Sequence, residues 1–215
     1  MNIKRLMCNP LQENCYVVSD ETRECVIIDC GCYYDEEKQA LAAYISQNRL
    51  HPVHLLATHG HLDHNFGNAF VYREYGLKVE ICQEDQSLVE HMCQQAADLF
   101  GMTLEEEKPP TGRLLTNGDI ITFGHHQLKV LQTPGHTHGS ALFHCEAEQT
   151  VFTGDTLFRM SIGRTDFPES SWAEMEDSLR TVVSKLPEAT IVLSGHGPQS
   201  TIADELKYNM YLKSF

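Results

Sequence analysis

The segment LLATHGHLDHNFGN, residues 55–68, constrains this chain more than any other stretch of its sequence. It places His59, His61, Asp63 and His64 within six positions, directly after a strand-like apolar run. Such crowded imidazole and carboxylate groups are costly unless they share a partner, and a metal ion is the usual one. Residues two apart in an extended segment face the same way, so His59 and His61 can bind one ion. Asp63 and His64 are consecutive and diverge by about 100° in a helical turn, which favours a second ion beside the first.

Further ligands are available at the ends of later strand-like runs. LQTPGHTHG presents His136, TVFTGDTLF presents Asp155, and TIVLSGHGP presents His196. Each follows an apolar run and a glycine, which allows close backbone approach. Strand ends along one sheet edge are also where α/β folds gather their sites. We interpret the remaining histidines as loop residues, with His138 as the one candidate for supporting a ligand.

Apolar, β-rich runs recur along the chain, with helical patterns between some of them. These patterns cover residues 35–49, residues 65–75 before Gly76, residues 84–100 before Gly101, and a segment from the capping residue Ser171 to Pro187. Residues 105–112 are predicted to form an exposed loop. Early strands come as hairpins and later ones alternate with helices, which predicts a layered α/β fold with mixed sheets.

Charge and hydropathy limit the binding partners and the cellular location that we expect for this protein. The formal net charge of −14 disfavours nucleic acid, whose phosphates require clusters of Lys and Arg. No apolar run approaches the roughly 18 residues of a membrane span, and the N-terminus lacks the apolar core of a signal peptide. We therefore expect a cytoplasmic protein with neither a nucleic-acid nor a membrane partner.

The eight cysteines show no paired C-x-x-C spacing of a zinc module. Without an export signal, we expect reduced thiols, several of them buried as small apolar side chains. A zinc or redox role for Cys30 and Cys32, which flank a single glycine, is the less favoured alternative.

THGHLDH, followed by His136, Asp155 and His196 in this order and spacing, resembles the metallo-β-lactamase superfamily. IDCG, TPGHTHGS and SGHGP resemble the corresponding segments, so the resemblance covers essentially the whole chain. It implies a single domain over residues 1–215, built as a four-layer αβ/βα sandwich with two mixed sheets. Within the superfamily, FTGDTLFRMSIGRTDFP is most similar to the glyoxalase II-like hydrolases.

The resemblance implies two groups of three ligands joined by a bridge: His59, His61 and His136 for one divalent ion, Asp63, His64 and His196 for the other, and Asp155 between them. Zinc is favoured, although a set of histidines and carboxylates also accepts iron or manganese. Two ions about 3.5–4 Å apart can acidify a shared water and stabilise an oxyanion. A bridging hydroxide is therefore the expected nucleophile, with Asp63 and Asp155 as the catalytic residues of the chain.

The GRTDFP similarity implies a thioesterase of hydroxyacylglutathione hydrolase (glyoxalase II) type acting on a small-molecule thioester. A persulfide dioxygenase-like oxidoreductase with one iron is the main alternative, and hydrolysis of another ester or a lactone is a further one. Asp155 stands where some β-lactamases have a thiolate ligand, and His61 where flavin-partnered di-iron oxidoreductases have a glutamate. Both of those activities are disfavoured, and processing ribonucleases are disfavoured by the acidic charge.

Two further expectations concern substrate binding. Arg159 and Arg164, in the loop after Asp155, are predicted to face an anionic substrate; the alternative is a surface loop in which Arg164 pairs with Asp166. Full-length glyoxalase II enzymes carry a C-terminal helical domain that helps to bind glutathione. Because this chain stops at Phe215, we expect a short form with a weak hold on the glutathione moiety.

Overall fold

The structure is a computed structural model that describes residues 1–101, 103–104 and 109–213. Within the predicted loop 105–112, residues 105–108 lie outside the described residues. The strands are β1 (Asn2–Cys8), β2 (Glu13–Ser19), β3 (Glu24–Ile28), β4 (His51–Leu56), β5 (Val79–Cys82), β6 (Leu114–Leu115), β7 (Ile120–Phe123), β8 (His126–Gln132), β9 (Ala141–Cys145), β10 (Thr150–Gly154), β11 (Leu157–Phe158), β12 (Ser161–Ile162), β13 (Ile191–Ser194) and β14 (Ser200–Thr201). The helices are α1 (Asp35–Gln47), α2 (Asn68–Tyr75), α3 (Gln86–Glu90), α4 (Met92–Phe100), α5 (Trp172–Thr181) and α6 (Ile202–Tyr208).

Within these described ranges the strands build two large sheets, each with six strands. The first has the order β1-β2-β3-β4-β5-β6 and the second the order β14-β13-β10-β9-β8-β7, while β11 and β12 form a separate hairpin. Both large sheets are mixed. In the first, β2 and β3 are antiparallel but β3 and β4 are parallel; in the second, β9 and β10 are antiparallel but β10 and β13 are parallel.

Side chains on the inner faces of the two sheets pack together and form an apolar layer between them. In β3, Val26 and Ile28 face this layer, whereas Cys25 and Ile27 face the opposite side, as the two-residue alternation of a strand requires. Phe143 of β9 meets them from the second sheet. Because these strands are buried on both faces, they read in the sequence as near-continuous apolar runs.

Helices cover the two outer faces. Leu41 of α1 and Val71 of α2 pack on the outer face of the first sheet. Met175 and Leu179 of α5 pack on the outer face of the second sheet. The layers therefore follow the order helices, sheet, sheet, helices, which confirms the predicted four-layer αβ/βα sandwich.

The helix predicted over residues 84–100 is wrong as one continuous element. α3 and α4 are separated at His91, whose backbone leaves the helical region with φ −113° and ψ 29°. At this break the Leu88 carbonyl accepts hydrogen bonds from the His91 N–H (3.1 Å) and from the Gln95 side-chain amide (2.9 Å). Gln95 also donates to the Gly60 carbonyl at 2.9 Å, so the break ties the helix pair to the ligand-bearing loop.

The helix predicted over residues 65–75 begins later, at Asn68, after a 3-10 turn over Leu62–His64. The Asn65 side chain donates to the His59 carbonyl at 3.0 Å and to the His61 carbonyl at 2.7 Å. These bonds hold the segment in a compact turn before α2 can start. The glycine at the end of α2, Gly76, takes the left-handed φ of 72° that its sequence position predicted.

The start of α5 follows its sequence signal, but the helix ends at Thr181, and a 3-10 turn over Val183–Lys185 comes before Pro187, where the prediction ended it. The Ser171 hydroxyl accepts the Glu174 N–H at 3.3 Å and so begins α5. α6 ends at Tyr208, and the Asn209 side chain then donates to the Ser161 carbonyl at 3.0 Å. None of the helices among the described residues is long and apolar enough to cross a membrane.

Candidate metal centre

Four segments that follow strand ends meet at one edge of the sandwich. The segment after β4 carries His59, His61, Asp63 and His64, and it belongs to the first sheet. The segments after β8, β10 and β13 belong to the second sheet and carry the other predicted ligands, His136, Asp155 and His196. The structure thus brings all the predicted ligand residues together where the ends of the two sheets face each other.

The first group consists of His59, His61 and His136. One ligand atom from each lies within 4.8 Å of the others. The His61 Nδ1 and His136 Nε2 atoms are 2.9 Å apart, and all three side chains are buried. Three imidazole nitrogens converging in this way match a zinc site with three protein ligands and an open position.

The second group consists of Asp63, His64 and His196, whose ligand atoms also lie within 4.8 Å of one another. The His196 Nε2 atom is 3.2 Å from Asp63 Oδ2, and His64 Nε2 is 3.7 Å from the same oxygen. The consecutive residues Asp63 and His64 therefore serve this second group, while His59 and His61 serve the first. This is the division that the resemblance implied.

The carboxylate of Asp155 lies between the two groups. Its Oδ2 atom is 3.5 Å from His136 Nε2 on one side and 3.7 Å from His196 Nε2 on the other. Its Oδ1 atom is 3.2 Å from His64 Nε2. One carboxylate facing both groups is the arrangement that a bridging ligand requires.

The residues present fit a pair of divalent ions. Three buried atoms that face the centre, His59 Nε2, His64 Nε2 and Asp155 Oδ1, make no hydrogen bond among the described residues; the 3.2 Å contact between the last two lacks hydrogen-bond geometry. Buried polar atoms are normally satisfied, so an unpaired group of ligand atoms at one place calls for a shared partner. The donor set, histidine nitrogen and carboxylate oxygen without sulfur, suits zinc, iron and manganese.

Each histidine of the centre also contacts an oxygen with its other ring nitrogen, the one that faces away from the centre. These pairs are His59 with Thr58 Oγ1 (3.1 Å), His61 with Glu169 Oε1 (2.8 Å), His64 with Asp29 Oδ2 (3.0 Å), His136 with the Arg164 carbonyl (2.8 Å) and His196 with the Leu11 carbonyl (3.1 Å). Such contacts set the tautomer and the ring orientation and raise the basicity of a metal-binding imidazole.

Asp85 and Asp29 are buried carboxylates that hold the ligand loops in place. Asp85 accepts hydrogen bonds from the Gly60 N–H (2.7 Å), the Thr137 hydroxyl (2.6 Å) and the Gly139 N–H (2.7 Å). It thereby joins the loop after β4 to the loop after β8. Asp29 accepts the Thr58 N–H at 2.7 Å in addition to its contact with His64.

Sequence reasoning did not assign these supporting residues. Asp29 carried a signal, because it lies in the IDCG segment that entered the resemblance. Asp85 and Glu169 carried none: each is an ordinary acidic residue in a polar stretch, and only the chain path brings it to the ligand loops.

The electrostatic field of the centre sets its protonation. Burial raises the pKa of Asp155, but the charges of His64, His136 and His59 together outweigh burial and bring that pKa well below its usual range. Burial lowers the pKa of His59 and of His136. Carboxylate and neutral imidazole are the forms that bind metal ions. Burial also disfavours a charge on His64, yet the carboxylates of Asp155 and Asp63 raise its pKa; a field that favours a proton there equally favours a metal cation.

A cavity of about 470 Å³ opens beside the centre. His61, Asp63, His136, Asp155 and His196 form one wall of it. Its volume is within the usual range of about 300–1,000 Å³ for small-molecule sites. The centre is therefore accessible to a small substrate.

The two predicted arginines differ in position. Arg164 lines the cavity, where it makes two hydrogen bonds to Asp166 (2.8 and 2.9 Å) and stacks over the Phe167 ring at 4.3 Å. Arg159 is exposed in the turn after β11 and is not among the lining residues within the described part of the chain. The structure therefore places Arg164, but not Arg159, on the cavity wall, and substrate binding by either arginine stays a prediction.

His138 lies outside the centre. Its side chain is 53% exposed and pairs with Glu174 at 3.0 Å on the surface of α5. It has no contact with the centre that would support a ligand, because the turn after His136 directs it outward to solvent.

Replacing Glu169 by alanine is expected to weaken zinc binding by about 10- to 100-fold, because His61 loses the carboxylate that orients its ring. Competition against a chromophoric chelator measures this affinity. Glu174→Ala is the matched control, since Glu174 contacts only the exposed His138 ring among the described histidines. Equal affinities for the two variants would show that Glu169 does not support the ligand.

Comparisons with known proteins agree with this geometry. The family profile of the metallo-β-lactamase superfamily matches residues 8–196. Hydroxyacylglutathione hydrolase GloC of Haemophilus influenzae is 31% identical over 214 residues, covering 100% of this chain and 99% of the relative. The crystal structure of the BLEG-1 B3 metallo-β-lactamase is 33% identical with a TM-score of 0.89, covering 98% of this chain and 99% of that one. The crystal structure of TTHA1623 in a di-iron-bound form is 35% identical with a TM-score of 0.84, covering 97% and 100%.

Proposed function

Because this chain belongs to the metallo-β-lactamase superfamily, we propose that it is a metal-dependent hydrolase of small-molecule thioesters, of hydroxyacylglutathione hydrolase type. The observation that carries the proposal is the meeting of two ligand groups at the Asp155 carboxylate on a cavity wall. The similarity to the GloC hydrolase over the full chain supports the choice of reaction.

Two divalent ions, when bound, would acidify a water molecule and polarise the carbonyl of the substrate. The chain itself contributes ligands and fixed charge. Burial raises the pKa of Asp63, but the charge of His64 and the other nearby groups bring it below its usual value. The pKa of Asp155 lies well below its usual value. Both side chains therefore stay carboxylates at neutral pH. They orient a water molecule by accepting its hydrogen bonds and do not donate protons.

The leaving group follows from the same chemistry. Outside the ligand residues, Arg164 is the one titratable side chain among the described residues that line the cavity, and Asp166 raises its pKa further. The cavity therefore presents no group ready to protonate a departing atom. A thiolate leaves without a proton, whereas an amine does not. The site is accordingly better suited to thioesters than to amides.

The rest of the cavity lining, beside the ligands, is largely apolar. Leu11, Phe158, Ile162 and Phe167 contribute to it, and Arg164 adds the positive charge beside them. We propose that the apolar side chains bind the acyl and thiol carbon chains and that Arg164 lies near an anionic group of the substrate. The Arg164 guanidinium already pairs with the Asp166 carboxylate. A contact between Arg164 and an anionic substrate group therefore requires this ion pair to rearrange, or both side chains to contact the substrate.

We propose that zinc fills both positions, with iron or manganese as alternatives; the TTHA1623 structure shows that a relative holds two iron ions. The ions of this centre are counted as the difference in metal content between the wild type and a His136→Ala/His196→Ala double variant, which removes one ligand from each group. A difference close to two ions is expected. A difference of one iron, with oxygen consumed on adding glutathione persulfide, would instead establish the dioxygenase activity.

Steady-state assays against S-lactoylglutathione, a simple acyl thioester, a lactone and a β-lactam test the substrate class. We expect kcat/KM for the better thioester to exceed that for the lactone and the β-lactam by about 100-fold, or about 2.7 kcal/mol in transition-state binding. The Asp155→Ala protein, assayed in parallel, identifies turnover by contaminating enzymes. Fastest turnover of the lactone or the β-lactam would contradict the thioesterase proposal.

β-Lactam hydrolysis is the second candidate, because the BLEG-1 B3 metallo-β-lactamase shares the fold at a TM-score of 0.89 and 33% identity. The absence of a proton donor on the described cavity wall weighs against it, since the β-lactam nitrogen must gain a proton when its ring opens.

We further propose a cytoplasmic location. All eight cysteines are free of disulfide bonds, and reduced thiols are typical of that compartment.

A further inference from the structure

Four buried cysteines lie together in the apolar layer under α1 and α2, and the proposed hydrolysis does not use them. This cysteine cluster consists of Cys8, Cys15, Cys30 and Cys32, each at most 1% exposed. The sulfur atoms of Cys8 and Cys32 are 3.3 Å apart. The sulfur atoms of Cys15, Cys30 and Cys32 all lie within 4.8 Å of one another.

Two separate pieces of chain build the cluster. In the β1–β2 hairpin Leu6 lies opposite Cys15, and Cys8 follows Leu6 by two residues on the same face of the sheet. Cys30 and Cys32 come from the segment after β3 and flank Gly31. A side chain at Gly31 would collide with the Glu13 carboxylate and with the backbone carbonyl of Asp63, so a glycine lets this segment pack between the hairpin and the ligand-bearing loop.

The spacing of the sulfur atoms suits one thiophilic ion. A zinc–sulfur distance of about 2.3 Å in a tetrahedral site places neighbouring sulfurs about 3.8 Å apart. The Cys8–Cys32 separation of 3.3 Å and the grouping of Cys15, Cys30 and Cys32 within 4.8 Å of one another are compatible with that spacing. Burial alone does not require cysteines to converge: Cys25, Cys82 and Cys145 are equally buried but belong to no such group within the described residues.

The cluster adjoins a surface cavity at Cys8. A second cavity, of about 200 Å³, is lined by Cys8 and by two acidic side chains, Glu36 and Glu37. Glu37 also accepts the Asn9 N–H at 2.7 Å and the Tyr33 N–H at 2.8 Å, which ties the walls of this cavity together. Negative charge at the mouth of a cavity raises the local concentration of cations.

We propose that the cysteine cluster is a structural zinc site, separate from the histidine and carboxylate centre. Thiolates are soft ligands that select zinc over magnesium, calcium or manganese. On binding, the sulfur–hydrogen bonds break, zinc–sulfur bonds form and the protons leave to solvent, without any redox change. The assignment revises the sequence-based expectation that these cysteines are simply buried apolar residues.

The site would stabilise the base of the ligand-bearing loop. The Gly67 N–H donates to the Cys30 carbonyl at 2.7 Å. A side chain at Gly67 would collide with the Cys30 sulfur, so this sulfur packs directly beneath the end of that loop. Fixing Cys30 to the β1–β2 hairpin through zinc would therefore fix one end of the segment that carries His59 to His64.

Cobalt substitution of the full chain tests the proposal. The catalytic centre offers no sulfur ligand, so sulfur-to-cobalt charge-transfer absorption in the near ultraviolet reports the cysteine cluster alone. We expect this absorption in the cobalt-loaded wild type. We expect Cys30→Ala to lose this absorption and, when loaded with zinc, to bind one zinc ion per chain fewer than the wild type. We expect Cys25→Ala, which replaces a buried cysteine outside the cluster, to keep both.

Two results would overturn the site. One is a cobalt-loaded wild type without charge-transfer absorption, which needs no variant to fold. The other is a Cys8–Cys32 disulfide in the protein as purified, seen as the loss of two hydrogens in the intact mass and reversed by a thiol reductant. Thioester turnover, measured on the same samples, depends on the other centre and so separates the failure of this site from the failure of the proposed function.

Discussion

Replacing Asp155 by alanine is expected to lower kcat/KM for thioester hydrolysis by about 1,000-fold or more, a loss of about 4 kcal/mol of transition-state stabilisation. Asp155 is the carboxylate that lies within reach of both ligand groups, at 3.2 Å from His64 and 3.5 Å from His136. Its removal affects both ion positions and takes away the carboxylate that faces the Nε2 atom of the buried His64 at 3.2 Å. Steady-state kinetics and metal analysis of the same preparation measure the two effects.

His138→Ala is the matched control for Asp155→Ala. His138 follows the ligand His136 by two residues, yet its ring is exposed and contacts Glu174 on the surface. We expect this variant to keep its metal content and its turnover. An Asp155→Ala protein that folds and still hydrolyses thioester at the rate of the His138 variant would rule out Asp155 as the bridge.

Replacing Asp85 by alanine is expected to lower the free energy of unfolding by about 3 kcal/mol. The change leaves the buried Gly60 N–H, Gly139 N–H and Thr137 hydroxyl without their shared acceptor, at about 1–3 kcal/mol for each unsatisfied group. Burial raises the pKa of Asp85, so the cost of desolvating its carboxylate offsets part of the stability that these three hydrogen bonds contribute. Urea denaturation in the presence of a chelator measures the loss without the contribution of bound metal.

Asp98→Ala controls for the loss of one acidic residue. Asp98 is exposed on α4 and accepts a hydrogen bond from Gln94 at 2.8 Å. A surface change of this kind alters stability by at most about 0.5 kcal/mol. If the Asp85 and Asp98 variants unfolded at the same urea concentration, Asp85 would not be the tie between the two ligand loops.

Most of the fold was predictable because its layers leave strong local patterns. The strands β3 and β9 read as apolar runs since both of their faces are buried. Glycines at the ends of α2 and α4 take the left-handed conformation that their positions predicted. The prediction of one helix over residues 84–100 is wrong because the break at His91 depends on Gln95 reaching Gly60, a contact that local periodicity does not contain.

The sequence by itself determined which side chains form the candidate centre. Histidine and aspartate after apolar runs are conspicuous, and strand ends along one edge must lie near one another, so residue type and chain order sufficed to name them. Tertiary structure decided what surrounds them. His61 meets Glu169 across 108 positions and His64 meets Asp29 across 35; Cys8 meets Cys32 across 24. Such contacts depend on how distant segments pack, and no spacing within a single segment encodes them.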